Sequence, residues 1–149
     1  MNDQARKLRQ RVKEQQEDRK LAHTIAIISG KGGVGKSNIA LNFSINLSQH
    51  KKKVLLFDLD IGMGNIDILV GNQAGYTIAD FFIKNIPLDQ VIQHGPEGLH
   101  YIAGGSGLEE SFHLNEARVN HLLEQMQDYL YEYDYFIFDI GAGISEDLV

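Results

Sequence analysis

The sequence predicts an α/β fold in which a doubly wound, mostly parallel sheet is covered by helices on both faces. Short apolar segments rich in β-branched residues alternate with longer segments whose apolar residues recur at helical spacing. The 149 residues suit one domain, and 43% hydrophobic and 23% charged residues are typical of a globular chain. Because the chain has no Cys, disulfides, thiolate metal sites and cysteine-ligated iron–sulfur clusters are excluded within it.

Residues 1–22 are interpreted as a basic arm that precedes the fold. The first 20 residues carry seven Lys/Arg and four Asp/Glu, a net charge of +3, which leaves −9 for the remainder. Ala5, Leu8 and Val12 recur at i, i+3 and i+7 and would share one face of a helix. This stripe is too narrow for a core, so the arm is either a solvated tail or a helix that folds onto a partner. The acidic remainder argues against a broad nucleic-acid-binding surface on the domain, whereas the basic arm could contact an acidic partner, RNA or a membrane surface.

The domain itself is predicted to span residues 23–149 and to contain four strands. The first, Thr24–Ser29, is apolar and β-branched, which is typical of a strand buried on both faces. The other three strands are predicted at residues 53–58, 99–103 and 135–139. Because the chain ends at Val149, soon after the fourth recognisable strand, we expect it to be the truncated, amino-terminal part of a longer domain.

Helical segments separate these strands. A helix from about Gly35 to Gln49 is predicted to bury the face that carries Ile39, Ala40, Phe43 and Leu47. Residues 77–93 fit two short helices interrupted at Pro87, since proline lacks the amide N–H that a continuous helix needs. Residues 115–131 have the clearest helical pattern. Its apolar positions are Val119, Leu122, Leu123, Met126 and Leu130.

A glycine-rich segment between the first strand and the first helix matches the P-loop pattern. It reads Gly30-Lys31-Gly32-Gly33-Val34-Gly35-Lys36-Ser37 and is followed by Asn38. Glycines lack Cβ atoms, so backbone N–H groups can surround a phosphate chain, and the helix N-terminus adds positive potential there. Lys36 is predicted to reach the β- and γ-phosphates and Ser37 to ligate Mg²⁺. The sequence therefore predicts a site for a nucleoside polyphosphate with Mg²⁺.

A second lysine, Lys31, lies within this loop, where an ordinary P-loop needs none. Most lysines on loops are simply solvated. A cation at this position would nevertheless lie beside the triphosphate and could reach the nucleotide of a facing subunit. Both interpretations of Lys31 stay open on the residues alone.

Three aspartates lie at or just after the ends of predicted strands. Asp58 ends the second strand, Asp60 follows two residues later, and Asp139 ends the fourth. Ligands of doubly wound sheets gather at the carboxyl ends of the strands, so these side chains are expected to face the P-loop. Of Asp58 and Asp60, one is suited to hold a Mg²⁺-bound water and the other to orient an attacking water. Asp139 is suited to be a Walker B carboxylate, and the Gly143 N–H to contact a γ-phosphate. The alternative is that they are ordinary turn residues.

The segment Lys31–Ser37 resembles the deviant P-loop of the MinD/ParA ATPases, in which the extra lysine reaches across an ATP-bound dimer. Asp58–Asn65 is similar to their switch I, and Asp139–Gly143 to their switch II. The resemblance implies the MinD/ParA type of P-loop NTPase fold and a Mg²⁺-dependent ATPase that binds ATP and ADP. It also implies that Asp60 positions the attacking water, with Lys31 and Lys36 as its catalytic partners. The metal set implied is Ser37, Asp58 and Asp139.

The arm carries a narrower resemblance. Its residues Asp3-Gln4-Ala5-Arg6-Lys7-Leu8-Arg9 fit the Asp-Gln-Ala-x-x-Leu-Arg motif of the FlhG (YlxH) family, MinD-like ATPases that control flagellar number and placement. The Asp-Ile-Gly-Ala-Gly spelling from Asp139 is also similar to that family. The resemblance implies that the arm stimulates the GTPase FlhF, through contacts of Asp3, Gln4, Ala5, Leu8 and Arg9.

The same resemblance implies further partners and a location. They are a second copy of the chain, flagellar C-ring proteins, and the inner face of the cell membrane, reached through a C-terminal helix that this sequence does not include. A cytoplasmic protein with ATP-dependent membrane association is expected, and no nucleic acid. The alternatives are a MinD-type division-site ATPase and a ParA-type DNA-partitioning ATPase, the second of which is disfavoured by the acidic charge.

Overall fold

The computed structural model describes residues 3–18, 21–28, 34–60, 66–71, 75–105 and 114–141. The helices in these ranges are α1 (Asp3–Asp18), α2 (Val34–Gln49), α3 (Ile66–Val70), α4 (Ile78–Lys84), α5 (Leu88–Val91) and α6 (Glu116–Met126). The strands are β1 (His23–Ile28), β2 (Val54–Asp58), β3 (Gln93–His94), β4 (His100–Ile102) and β5 (Tyr135–Ile140). Single 3₁₀ turns are found at Pro96–Gly98 and Gln127–Tyr129.

The five strands form one sheet in the order β1-β5-β2-β4-β3. The β1–β5, β5–β2 and β2–β4 pairs are parallel, and only the two-residue β3 runs antiparallel to its neighbour β4. Parallel neighbours require crossover connections, which the helices between the strands supply. β2 lies at the centre, with all five residues buried, because it is covered on both faces.

Helices cover the sheet on both sides. On one face, Ala40 and Leu41 of α2 and Ile66 of α3 pack against Leu56 and Ile137. On the other face, side chains of α4, α5 and α6 pack on the alternate strand residues. This second core contains Leu55, Phe57, Ile78, Phe81, Leu88, Val91, Leu122, Met126, Phe136 and Phe138. The doubly wound, mostly parallel fold class predicted from the sequence is confirmed.

The prediction that the first strand is buried on both faces is wrong. β1 pairs with β5 alone and forms one edge of the described sheet. Ile25 and Ile27 are partly buried against the core that α2 covers, whereas Ile28, which points to the other face, is 59% exposed. The reason is positional: among the described residues, α4, α5 and α6 pack over the central strands and do not extend over β1.

The prediction of which face α2 buries is also partly wrong. Ala40, Leu41 and Ser44 are buried, whereas Ile39 and Phe43 are 64% and 41% exposed. Small residues allow α2 to approach the sheet closely, and the buried Ser44 hydroxyl is satisfied because it donates to the Ala40 carbonyl at 2.7 Å. Side-chain size decides the orientation of this helix more than its most hydrophobic stripe does.

The remaining helices fit the prediction with shifted ends. Pro87 precedes α5 and separates it from α4, as expected. Asn115 caps α6, its side chain accepting from the Arg118 N–H at 2.9 Å. The predicted helix over 115–131 is too long, because α6 ends at Met126 and the chain tightens into a 3₁₀ turn that leads to β5. The two-residue β3 was not predicted, since it is too short to show a periodic pattern.

The arm contains a 16-residue helix, α1. The side chains described in it, those of residues 4–11, are all exposed, and Leu8 is 64% exposed. Residues 4–11 of this helix therefore contribute no buried side chain to the core. No helix in the described ranges is apolar over a sufficient length to span a bilayer.

Candidate nucleotide and magnesium site

Asp58 and Asp139 lie side by side at the carboxyl ends of the two central parallel strands, β2 and β5. They are direct partners in the strand register, and both are fully buried. Successive residues of a strand point to opposite faces. Asp58 and Asp139 therefore point to the same face as Leu56 and Ile137, which is the face that α2 covers.

The Asp58 carboxylate is anchored by backbone amides. Its Oδ1 accepts a hydrogen bond from the Asp60 N–H at 3.2 Å, and its Oδ2 accepts one from the Ile66 N–H, at the start of α3, at 3.3 Å. Burial raises the pKa of Asp58 from 3.8 to about 7, and the neighbouring Asp139 and Asp60 carboxylates add to this increase against the two amides. The cluster thus concentrates negative charge in a site shielded from water.

Two glycines bring the flanking loops against these carboxylates. Gly104 follows β4, and a Cβ built on it would lie 2.9 Å from the Asp58 carbonyl oxygen. Gly141 follows β5, and a Cβ built on it would lie 2.6 Å from Asp60 Oδ1. The structure therefore brings Asp58, Asp60 and Asp139 together, as the strand-end argument predicted. Gly104 was not predicted as part of this site; its position at a strand end was the available signal.

The other predicted site residues are placed less completely. The backbone of Val34–Ser37 forms the first turn of α2, and Asn38 is exposed on the same helix. Gly30–Gly33, Lys31 among them, and Gly143 lie outside the described residues, as do the side chains of Lys36 and Ser37. Because β1 and β5 are parallel neighbours, the chain between Ile28 and α2 begins at the same edge as Asp139.

The carboxylates fit a partial ligand set for Mg²⁺. Within the described ranges, no three His, Cys, Asp or Glu side chains form a metal cage by themselves. Mg²⁺ commonly keeps several waters and takes only one or two protein carboxylates, with phosphates completing the set. Asp58 and Asp139 supply two buried carboxylates, and a cation would offset the burial and the carboxylate repulsion that raise the pKa of Asp58.

The predicted partner-binding residues lie elsewhere. Asp3 is the first residue of α1, and the side chains of Gln4, Ala5, Leu8 and Arg9 are exposed on it. The structure does not bring them to the carboxylate cluster. The site and the arm are thus distinct features of the chain.

The chain matches known proteins over most of its length. Residues 22–145 match the family model described as an AAA domain (AAA_31). The chain is 33% identical to the antiactivator FleN of Pseudomonas aeruginosa, over 84% of this chain and 45% of FleN. It is 37% identical to the flagellum site-determining protein YlxH of Helicobacter pylori, over 81% of this chain and 41% of YlxH. It therefore spans less than half the length of these relatives.

Septum-site proteins are similar to this chain at comparable levels of sequence identity. The chain is 33% identical to the MinD of Helicobacter pylori, over 84% of this chain and 47% of that protein. The structure of Pyrococcus horikoshii MinD complexed with Mg-ADP is 25% identical and superposes with a TM-score of 0.64, over 80% of this chain and 49% of the other. Together with the sheet order and the carboxylate cluster, these matches show that the chain belongs to the AAA domain family, in the MinD-like group of P-loop NTPases.

Proposed function

We propose that this chain is the nucleotide-binding part of an ATPase that dimerises on ATP and regulates the number and placement of flagella. The observation that carries the proposal is the meeting of Asp58, Asp60 and Asp139 at the edge of the sheet where the P-loop segment begins. The name of YlxH, a flagellum site-determining protein, supports a flagellar role, and that of FleN, an antiactivator, supports a regulatory one.

The chemistry assigned to the site follows from its charges. The glycine-loop amides and Lys36 would bind the phosphates, and Ser37, Asp58 and Asp139 would hold Mg²⁺. The metal would supply positive charge that neutralises the phosphoryl oxygens. Asp60 orients the attacking water, and its N–H bond to Asp58 couples its position to the metal ligands. Phosphoryl transfer needs little beyond such positioning and neutralisation.

Lys31 supplies the reason to expect a dimer. Lys36 already serves the triphosphate within its own subunit, so a second loop lysine is available to a nucleotide in a facing subunit. Two ammonium groups on one triphosphate make the bound nucleotide part of the interface. Dimerisation then depends on ATP, and hydrolysis resets it.

Sizing chromatography of the full-length gene product with ATP and Mg²⁺ tests this switch. We expect a nucleotide-dependent dimer that Lys36→Gln abolishes. Asp60→Ala should retain the dimer while ATP turnover falls by roughly 10²–10³, a typical loss for one catalytic group. Asp128→Ala is the control. It removes an exposed carboxylate from the 3₁₀ turn between α6 and β5 and should leave ATP turnover unchanged. A wild-type protein that stays monomeric with ATP would exclude the switch.

The arm is proposed to stimulate the GTPase FlhF. Its helix is formed and its described side chains, including Leu8 and Arg9, are exposed and therefore available to a partner. The proposal extends to contact with flagellar C-ring proteins and to a cytoplasmic protein that associates with the inner membrane face through a further helix. These partners rest on the resemblance of the arm and the switch segments to the FlhG family.

The alternative is a septum-site role, which the 33% identity to MinD supports. A peptide of residues 1–20 distinguishes the two roles. Added to FlhF, the peptide should raise GTP turnover severalfold, and Leu8→Ala or Arg9→Ala should abolish the increase. Lys7→Ala is the matched control, since it removes a charge at a position that the motif leaves open. An inert wild-type peptide, with the ATP-dependent dimer intact, would favour the division-site alternative.

A further inference from the structure

Gly104, the second residue after β4, lies directly against Asp58, the last residue of the neighbouring strand β2. A Cβ built on Gly104 would lie 2.9 Å from the Asp58 carbonyl oxygen, 3.1 Å from Cγ and 3.2 Å from Oδ1. Real Cβ atoms essentially never approach another atom closer than 3.0 Å. Any side chain at residue 104 would therefore displace Asp58 or separate the ends of the two strands.

Space, and not backbone conformation, is what requires a glycine at this position. Gly105 has a left-handed φ of 80°, which favours glycine, whereas Gly104 is not among the residues with a positive φ. Other amino acids adopt a backbone such as that of Gly104 without strain. The volume that their side chains would need is occupied by Asp58.

The loop after β4 is anchored on both sides of Gly104. The Ala103 carbonyl accepts a hydrogen bond from the N–H of Ile78, the first residue of α4, at 2.7 Å. On the other side, a Cβ built on Gly105 would lie 3.1 Å from Oγ1 of Thr77, which caps α4. Because these contacts hold the loop against α4, Asp58 is the residue that is left to move.

The strand order gives the direction of that movement. β2 lies between β4 and β5, and Asp58 is paired in register with Asp139 of β5. A side chain on the β4 side would therefore push the Asp58 carboxylate toward Asp139. The amides of Asp60 and Ile66 hold the Asp58 oxygens at 3.2 and 3.3 Å, which are long hydrogen bonds and resist displacement only weakly. Gly104 thus leaves Asp58 room on the side away from Asp139.

We propose that Gly104 is a positioning residue for Mg²⁺, because its missing side chain sets where the Asp58 carboxylate lies relative to Asp139. The inference rests on the proposed function, in which these two carboxylates hold the metal. Mg²⁺ demands near-ideal octahedral geometry, whereas Ca²⁺ accepts longer and more flexible coordination. A displaced Asp58 should therefore weaken the binding of Mg²⁺ more than that of Ca²⁺.

Calorimetric titration of the full-length gene product with ADP, at a series of Mg²⁺ concentrations, tests this role without measuring turnover. Gly104→Ala should raise the Mg²⁺ concentration that gives half of the maximal ADP affinity by roughly 10–100-fold, the usual effect of altering a group that supports a metal ligand. At saturating Mg²⁺ the ADP affinity should return to the wild-type value. With Ca²⁺ in place of Mg²⁺, the increase should be several times smaller.

Two variants separate positioning from a general loss of stability. Gly95→Ala is the matched control, since its Cβ would also meet a tight contact, 3.1 Å from the Tyr101 ring, but in the turn between β3 and β4. It should leave the Mg²⁺ requirement unchanged even where the melting temperature falls. In the Asp58→Asn background, Gly104→Ala should add no further increase, because the group through which it acts is already altered.

A second variant keeps the test decisive if Gly104→Ala does not fold. Thr77→Ala retains Gly104 but removes the hydroxyl that contacts the loop at Gly105, and should raise the Mg²⁺ requirement by a smaller factor. In that case an unchanged requirement in Thr77→Ala overturns the positioning role.

The remaining outcomes distinguish this inference from the function on which it rests. A wild-type protein that binds no ADP at any Mg²⁺ concentration would overturn both. If wild-type ADP binding depends on Mg²⁺ and on Asp58, three results overturn the positioning role alone. They are an unchanged Mg²⁺ requirement in Gly104→Ala, equal effects on Mg²⁺ and Ca²⁺, and additive effects of Gly104→Ala and Asp58→Asn.

Discussion

Asp58 is a carboxyl group whose ionisation opposes folding in the nucleotide-free chain. It is fully buried, its two amide donors favour the charged form, and the adjacent Asp139 and Asp60 disfavour it. Burial is the largest of these effects and sets the pKa at about 7. Such a group is suited to bind a cation, because a nearby positive charge favours its ionised form.

The stability of the chain should therefore depend on pH through Asp58. The carboxyl holds its proton up to about pH 7 in the folded chain but loses it near 3.8 when unfolded. The folded state thus binds more protons in this window, and its stability falls as the pH rises from about 4 to 7. Between pH 5 and pH 8, without nucleotide or Mg²⁺, the unfolding free energy of the wild type should fall by roughly 3 kcal/mol relative to Asp58→Asn.

Urea unfolding of both proteins across this range measures the difference. Asp128→Asn, at an exposed carboxylate, is the control and should follow the wild-type profile. Parallel profiles for the wild type and Asp58→Asn would show that Asp58 titrates at an ordinary pKa in the folded chain.

At the same scale, the sequence predicts which residues meet but not how they are held. A strand period of two and the common edge of parallel strands suffice to bring Asp58, Asp60 and Asp139 together. The approach of Gly104 to Asp58 depends on the path of the loop after β4, which no local pattern specifies. The amide bond from Ile66 likewise depends on where α3 begins.

At the scale of elements, strands and helices are predicted better than the faces they bury. The alternation of apolar segments locates β2, β4 and β5 to within one residue. The exposure of β1 depends on how far the helices on the other face extend across the sheet, which is a tertiary property. The orientation of α2 is decided by its close approach to the sheet, which the small residues Ala40 and Ser44 permit. The hydrophobic pattern of the sequence does not indicate this approach.

Helix α4 is short, and its start is fixed by a reciprocal cap. The Asp80 N–H donates to Thr77 Oγ1 at 3.4 Å, and the Thr77 N–H donates to Asp80 Oδ2 at 2.8 Å. The Ile78 N–H donates to the Ala103 carbonyl at 2.7 Å, which joins this helix start to the end of β4. The cap therefore stabilises both the helix and its docking on the sheet.

Thr77→Ala should lower the unfolding free energy by about 1 kcal/mol, since one cap acceptor is lost. Thr77→Ser keeps the hydroxyl and should recover most of this loss. Chemical denaturation of the three proteins at one pH measures both values. Equal destabilisation by Ala and Ser would mean that the threonine methyl group, which packs near Gly105, matters more than the hydrogen bond.

At the scale of the molecule, two cores share one central strand. Leu55 belongs to the core beneath α4–α6 and Leu56 to the core beneath α2 and α3, and both are fully buried. Because β2 contributes consecutive residues to both cores, displacement of this strand would disrupt both of them. The two faces of the sheet are therefore coupled. The chain should therefore unfold as one cooperative unit.

Truncations on the two faces of β2 test this coupling. Leu55→Ala and Leu56→Ala should each cost about 2–5 kcal/mol, the usual range for a fully buried leucine. Ile28→Ala, at the exposed edge strand, should cost less than about 1 kcal/mol, because little buried surface is lost there. Far-ultraviolet circular dichroism and tyrosine fluorescence should give one coincident transition in every variant. If Leu56→Ala split the transition, the α2 face would unfold independently, and Asp58 and Asp139 would then lie between two separately stable layers rather than inside one cooperative core.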